Sequence, residues 1–364
     1  MEDGLRTLNR ACFDKTWIEA ESRRHRTGNT FFEKSLYAFE LLGRLKQEGL
    51  DFVFKGGTSL LLRLPDPRRL SIDVDIVCHE PGANLERILK KCVEAPFTGM
   101  EEDKRQHHHP PRRRHWNFYF NSINPEGCPE PYIILDVLEE DCLYPDVEDI
   151  EIRTKFFAAD HSIRVRVPTV DNLLADKLTT FAPETIGQKY DEAHSEKMIK
   201  HLFDIGELFN VAASLHTLHD VYARIAAAEI GYREGRWTAD ACLDNTIATS
   251  RLVTALVVNR ELDPDRCPVI RSGIEALRGH LLGVNFKIND AAIAAGKTAL
   301  LATVIKHGAT GTPMRDLRYN KAALATVREA APLGDPVFAK LDQASPEAFY
   351  YWHLAEGMTN KSTT

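Results

Sequence analysis

Two aspartates, Asp73 and Asp75, stand at alternate positions of the run Leu70-Ser71-Ile72-Asp73-Val74-Asp75-Ile76. Alternate residues on a strand share a face, so the pattern puts two carboxylates side by side. Like charges that close raise each other's pKa unless a cation lies between them. Mg²⁺ is such a cation, accepting one or two protein carboxylates and completing its shell with phosphate oxygens. Upstream, Lys55-Gly56-Gly57-Thr58-Ser59 follows a strand-like run at 51–54 and leads into a short apolar helix with Leu60, Leu61, Leu62 and Leu64. A glycine turn entering a helix presents backbone N–H groups to a phosphate. Lys55 is placed to neutralise triphosphate charge. Thr58 and Ser59 offer hydroxyls and N–H groups to phosphate oxygens, or cap the helix, and the two roles are compatible. Ser71 shares the strand face of Asp73; it either touches a phosphate or metal or merely orients Asp73. Asp-X-Asp alone is common on polar strand faces, and Gly-Gly alone marks a turn. Together, with Lys55 before the turn and Arg69-Leu70-Ser71 before the carboxylates, they read as a site for a nucleoside triphosphate with Mg²⁺ or Mn²⁺.

Elements of two kinds must position these residues. Residues 30–49 have helical periodicity, with Leu36, Phe39, Leu42 and Leu45 on one face. A strand over 70–78, a helix over 84–95 and strands over 115–121, 132–138 and 162–167 follow, the first of the last three alternating Trp116, Phe118 and Phe120. No strand order follows from this pattern. From Val170 helical patterns dominate: 172–181, 198–213, 219–228, 246–259, 269–282, 291–306 and a segment near 346–358. Pro168-Thr169-Val170-Asp171 supplies a break and a helix cap. The expected class is α+β: an α/β domain over 1–169 with a mixed sheet and flanking helices, then an all-helical domain over 170–364.

Lys55-Gly56-Gly57-Thr58-Ser59-Leu60 followed by Arg69-Leu70-Ser71-Ile72-Asp73-Val74-Asp75 resembles the core motif of the nucleotidyltransferase superfamily. More narrowly it is similar to the AbiEii family of abortive-infection and toxin–antitoxin proteins, which includes the MenT toxins. The segment Phe32-Glu33-Lys34, with Tyr37 and Leu41-Leu42, resembles the helix before the motif in those proteins. The resemblance implies a third carboxylate on a later strand, and Asp136 in Ile133-Ile134-Leu135-Asp136-Val137-Leu138 is the best candidate. A charge within an apolar strand is costly unless a cation or hydrogen bonds meet it; the alternative is a solvated strand-end carboxylate. Asp136 would hold a second metal and help deprotonate the acceptor hydroxyl. The resemblance extends to Leu173-Leu174-Ala175-Asp176-Lys177-Leu178 and Lys200-His201-Leu202-Phe203-Asp204-Ile205. It implies that Lys177 binds the triphosphate and Asp204 orients Lys177 or contacts the nucleotide, the helical domain contributing to the active-site cleft. Lys200-His201 departs from the Arg-Asp often seen there, so only Asp204 carries over from the second motif. An amphipathic helix pair with a surface salt bridge is the alternative. The resemblance also implies that Ser71 is phosphorylated in some members. A phosphate there would place roughly two negative charges beside Asp73 and Asp75 and repel a triphosphate.

The implied reaction moves a nucleoside monophosphate from an NTP to an acceptor hydroxyl, with the tRNA 3′ end as acceptor and growth arrest as outcome. Transfer of NMP or phosphate to a protein Ser, Thr or Tyr is the second reading, and a nucleotide-binding regulator without catalysis the third. Residues 104–115 form a basic segment, Lys104-Arg105-Gln106-His107-His108-His109-Pro110-Pro111-Arg112-Arg113-Arg114-His115, that reads as a loop. Lys104, Arg105, Arg112, Arg113 and Arg114, extended by Arg63, Arg68 and Arg69, would contact an RNA backbone or lie in solvent. Three successive histidines rarely converge on one ion. The net charge of −7 over 364 residues argues against an indiscriminate nucleic-acid coat and requires any polyanion to meet a local patch. Seven scattered cysteines with no Cys-X-X-Cys indicate neither a zinc site nor a disulfide framework. No signal-peptide order and no long apolar run stand out, so no membrane contact and a cytoplasmic setting are expected. The expected partners are an NTP, tRNA and a cognate antitoxin.

Overall fold

The structure, a computed structural model, describes residues 6–80, 82–103, 111–330 and 332–361. The described residues form an α+β architecture of seven strands and thirteen α-helices. The chain divides into two compact units. One comprises Met1–Thr169 and Gly279–Val284, the other Val170–Arg278 and Asn285–Thr364.

The first unit is built on a mixed sheet of β1 (Val53–Lys55), β2 (Val74–Val77), β3 (Phe97–Asp103), β4 (Arg113–Phe120), β5 (Tyr132–Leu138), β6 (Val147–Glu151) and β7 (Arg164–Pro168). Their order is β3-β4-β5-β2-β1-β7-β6. β2 is parallel to β5 and β1 parallel to β7; the other pairs are antiparallel. The helices of this unit are α1 (Lys15–Arg24), α2 (Asn29–Gln47), α3 (Gly56–Arg63) and α4 (Gly82–Lys91). One core gathers Phe32, Leu36, Phe39 and Leu42 of α2, Leu85 and Leu89 of α4, and the strand residues Phe54, Val74, Ile76, Trp116, Phe118, Leu135 and Val137. The period-2 alternation of β4 and β5 therefore leaves their intervening polar residues on the opposite face of the sheet.

Two strands went unrecognised in the sequence, β3 and β6, and both are sheet edges. Their carboxylate-rich sequences, Phe-Thr-Gly-Met-Glu-Glu-Asp and Val-Glu-Asp-Ile-Glu, are what an edge strand needs to discourage further pairing, and they lack a readable alternation. The basic segment is also corrected, since Arg113 and Arg114 belong to β4 rather than to a loop; the strand expected from His115 begins two residues earlier. β2 is shorter than the expected 70–78 and leaves Asp73 just before its first residue.

A buried ion pair anchors the N-terminal segment to α2. Arg44 Nε lies 2.8 Å from Glu40 Oε1, and Glu40 Oε2 accepts from the Thr7 and Leu8 amides at 3.1 and 3.0 Å. Arg44 also donates to the carbonyls of Glu94 and Ala95, so the charges are met by hydrogen bonds on both sides, as burial requires.

The second unit contains α5 (Val170–Thr180), α6 (Ser195–Val211), α7 (Leu215–Gly231), α8 (Ala239–Ala255), α9 (Arg266–Ala276), α10 (Ile288–Lys306), α11 (Lys321–Glu329), α12 (Leu341–Ala344) and α13 (Pro346–Lys361). α10 is its central helix, buried along nearly its whole length. Small residues permit close approach: a Cβ on Gly296 would lie 3.1 Å from Tyr351 Cβ, and one on Gly206 3.1 Å from Ala294 Cβ. Residues 239–258 and Ile288–Lys306 are long and apolar enough to cross a membrane by length and composition, but both are mostly buried within the protein. Such burial is the ordinary condition of core helices.

The helix expected over 269–282 ends early. α9 stops at Ala276, a short 3₁₀ turn follows over Leu277–His280, and Gly279–Val284 joins the first unit. There the Leu70 amide donates to the His280 carbonyl (2.8 Å) and the Leu282 amide to the Arg68 carbonyl (2.9 Å). Gly283, at φ +65°, turns the chain away where a side chain would strain the backbone.

Candidate active site

β1 ends at Lys55 and α3 begins at the next residue, so the strand passes into the helix through Gly56 with no intervening loop. Gly56 has φ +74°, and the space a Cβ would fill is taken by the Asp75 carboxylate. A Cβ on Gly57 would lie 2.8 Å from Arg69 Nη2 and 2.9 Å from Ser71 Oγ. The two glycines thus let one carboxylate and one buried guanidinium close onto the first turn of the helix. Gly56→Ala meets both penalties, a left-handed backbone and an occupied space. We expect it to cost about 2 kcal/mol or more of stability and to lower transfer activity by at least tenfold, checked by thermal melting and label transfer in parallel. Unchanged melting and activity would refute this account of the turn.

Thr58 and Ser59 are buried, and their hydroxyls fix the turn: Thr58 Oγ1 donates to the Asp73 carbonyl (2.5 Å) and Ser59 Oγ to the Gly56 carbonyl (2.8 Å). Their hydroxyl hydrogens shape the loop, which leaves backbone N–H groups as the donors to offer an anion. Arg69 is held by its own neighbourhood, with Nη1 donating to the Leu70 carbonyl at 3.1 Å.

The sheet register aligns the charged residues in one row. Lys55 of β1 is opposite Asp75 of β2, Asp75 is opposite Asp136 of β5, and Asp136 is opposite His115 of β4. Directly opposed residues project from the same face with Cβ atoms about 5 Å apart, while Phe54, Ile76, Leu135, Val137 and Trp116, their chain neighbours, are in the core. The Lys55 ammonium lies 5.8 Å from the centre of the buried Tyr144 ring, within cation–π range. Tyr144 had no signal in a single sequence, and His115 gave one weak hint, the same strand parity as Asn117 and Tyr119 on the polar face of β4.

Among the described residues no three His, Cys, Asp or Glu side chains gather into a metal cage. Two carboxylates set side by side by strand register nonetheless fit Mg²⁺, which needs only one or two such ligands when phosphate oxygens and water complete its shell.

In the second unit, Lys177 of α5 and Asp204 of α6 form an ion pair, Nζ to Oδ2 2.9 Å, with side-chain exposures of 6% and 1%. The pair is buried rather than a surface bridge: Lys177 follows Leu173 and Leu174 by one helical turn on α5, whereas Asp204 has Lys200, His201 and Glu207 as well as Leu208 at helical spacing on α6.

The basic residues are placed differently from one another. Lys104 and Arg105 lie outside the described residues. Arg112 and Arg113 are exposed, Arg112 pairing with Glu139 (2.5 Å). Arg114 is committed to the protein: it bonds Glu102 (2.7 Å) and Glu86 (2.8 Å) and stacks on Trp116 at 4.5 Å. These carboxylates hold its guanidinium above the ordinary arginine range. Arg63 is likewise occupied, donating to the Pro168 and Val167 carbonyls and to Glu148.

An α+β chain with a strand–glycine turn–helix, followed by an Asp-X-Asp at the entry to a second strand, is of the nucleotidyltransferase class. Residues 40–266 match the family described as nucleotidyl transferase AbiEii toxin, type IV toxin–antitoxin system. The chain belongs to this family, and is accordingly a nucleotidyltransferase toxin. No curated protein matches the chain. Membership implies use of an NTP, generally with a divalent metal, and a cognate antitoxin. The matched segment contains Lys55 through Ser59, Asp73, Asp75, Asp136, Lys177 and Asp204, and stops short of Gly279–Val284.

Proposed function

We propose that the protein transfers a nucleoside monophosphate from an NTP to the 3′ hydroxyl of tRNA, so that the modified tRNA no longer supports translation. The row Lys55, Asp75 and Asp136 beside the positive-φ glycine turn supports this reading most directly. Asp73, Asp75 and Asp136 are the residues to hold Mg²⁺, which when bound neutralises phosphate charge and acidifies the attacking hydroxyl. The backbone N–H groups of Gly57 and Thr58 and the side chain of Lys55 bind the triphosphate. Asp136 assists removal of the acceptor proton. The acceptor oxygen bonds to the α-phosphorus, the bond from that phosphorus to the bridging oxygen breaks, and pyrophosphate leaves. Lys177 contributes a further cation for the triphosphate, held in one orientation by Asp204. Substrates of this kind place the reaction in the cytoplasm.

Purified protein, Mg²⁺, total tRNA and each α-labelled NTP in turn test the proposal, with Asp75→Ala as control. Label on tRNA with wild type only is the expected result and identifies the base. Label on protein instead would replace the RNA acceptor with a Ser, Thr or Tyr hydroxyl. Exposed Arg113, at the start of β4, is proposed to meet the RNA backbone. Arg113→Ala should weaken tRNA binding and reduce the slope of log affinity against log salt by about 1, measured by filter binding across a salt series. An unchanged slope removes Arg113 from the contact.

A further inference from the structure

We infer that His115 is a positioning residue, which fixes the Asp136 carboxylate for the metal by a hydrogen bond across the β4–β5 ladder. The inference rests on the proposed role of Asp136. His115 Nδ1 contacts Asp136 Oδ1 directly, and the two residues are register partners on adjacent antiparallel strands. A carboxylate only accepts hydrogen bonds, so Nδ1 carries the hydrogen and donates it. The imidazole is well shielded, 17% exposed, whereas Asp136 is 35% exposed. The better-held group therefore restrains the freer one. On its other side His115 is register partner to Asp103 of β3, so on one face of the sheet it is flanked by Asp103 and Asp136.

The physical need is specific. Asp136 projects from a strand with one side-chain torsion free to move the carboxylate by several ångströms. Asp75 lies directly opposite and repels it, which would turn Asp136 away from a shared cation. Occupying Oδ1 with an N–H sets the plane of the carboxylate and leaves coordination to Oδ2. Hydrogen-bonded partners of metal ligands typically govern affinity by 10–100-fold. Helix-based motif reading misses such a residue, because its partner is fixed only by strand register.

The test is Mn²⁺ binding, read from free Mn²⁺ by electron paramagnetic resonance, with a methylene-bridged NTP analogue that cannot transfer. His115→Ala should weaken Mn²⁺ binding roughly 10–100-fold while the melting temperature stays near that of wild type. His115→Asn, whose amide nitrogen takes the place of Nδ1, should restore affinity to within a few-fold; His115→Gln, which places its amide at the Nε2 position, should not. In an Asp136→Ala background His115→Ala should cause no further loss, as expected for two residues acting through one contact. Wild-type affinity in His115→Ala, or equal behaviour of the Asn and Gln variants, would overturn the inference. The Asn and Gln comparison carries the test if the alanine variant does not fold. If Asp75→Ala and Asp136→Ala both bind Mn²⁺ as wild type does, the metal assignment itself fails, and the inference with it.

Discussion

Asp75→Asn is expected to reduce nucleotidyl transfer on the order of 10³-fold, the scale of losing a charged clamp in phosphoryl transfer, and to abolish growth arrest on induction. Asparagine is nearly isosteric with aspartate, so it still fills the space against Gly56 and keeps its place between Lys55 and Asp136. What disappears is the negative charge. Removing the charge relieves the repulsion from Asp136 and gives up the attraction of Lys55, register partners on either side, so the two effects offset and the variant should melt near the wild-type temperature when divalent metal is chelated. Loss of activity with retained stability is the signature of a residue kept for chemistry rather than for folding. Label transfer and chelated thermal melts on the same preparation check both halves. A variant that still arrests growth would remove Asp75 from the catalytic machinery.

Lys177→Met is expected to cost about 3–5 kcal/mol in stability, since it leaves the Asp204 carboxylate buried without its ammonium partner. Asp204→Leu should cost a comparable amount by stranding Lys177. The double variant Lys177→Met, Asp204→Leu should recover much of the loss, because apolar residues of similar volume replace buried ion pairs with little penalty. Urea unfolding of the four proteins measures this cycle. A cost below about 1 kcal/mol for either single variant would mean that water reaches the pair and that its energetics are those of a surface bridge. The double variant then separates fold from function: a stable, inactive protein is expected if Lys177 acts on the triphosphate, and a stable, active one would assign the pair to packing alone.

The glycine turn, the Asp-X-Asp strand and the helix after the turn were legible because they are local. Gly56 signals a left-handed position, and apolar alternation marks β4 and β5 without knowledge of their neighbours. Asp136 stands out for a different reason, as a charge inside an apolar run. What could not be read was register. His115 lies opposite Asp136 only because β4 pairs antiparallel with β5, and Asp136 lies opposite Asp75 only because β5 pairs parallel with β2. Charge runs misled for a related reason: Arg114 looks like its neighbours Arg112 and Arg113 but points into a cluster of carboxylates and a tryptophan. The edge strands β3 and β6 hid because pairing, not their own composition, makes them strands.

The pairing of Arg68–Leu70 with Leu281 and its neighbours bears on when the site is finished during synthesis. The loop carrying Arg69 and leading to Ser71 and Asp73 gains its backbone partners from a stretch translated long after it. A nascent chain that has emerged only through the sheet therefore has the glycine turn and both aspartates, but an Arg68–Leu70 segment without these backbone partners. Closing so long a loop is entropically costly and depends on the intervening helices having folded. Products truncated before residue 280 therefore lack the backbone partners of the segment that leads from Arg68 to the two aspartates.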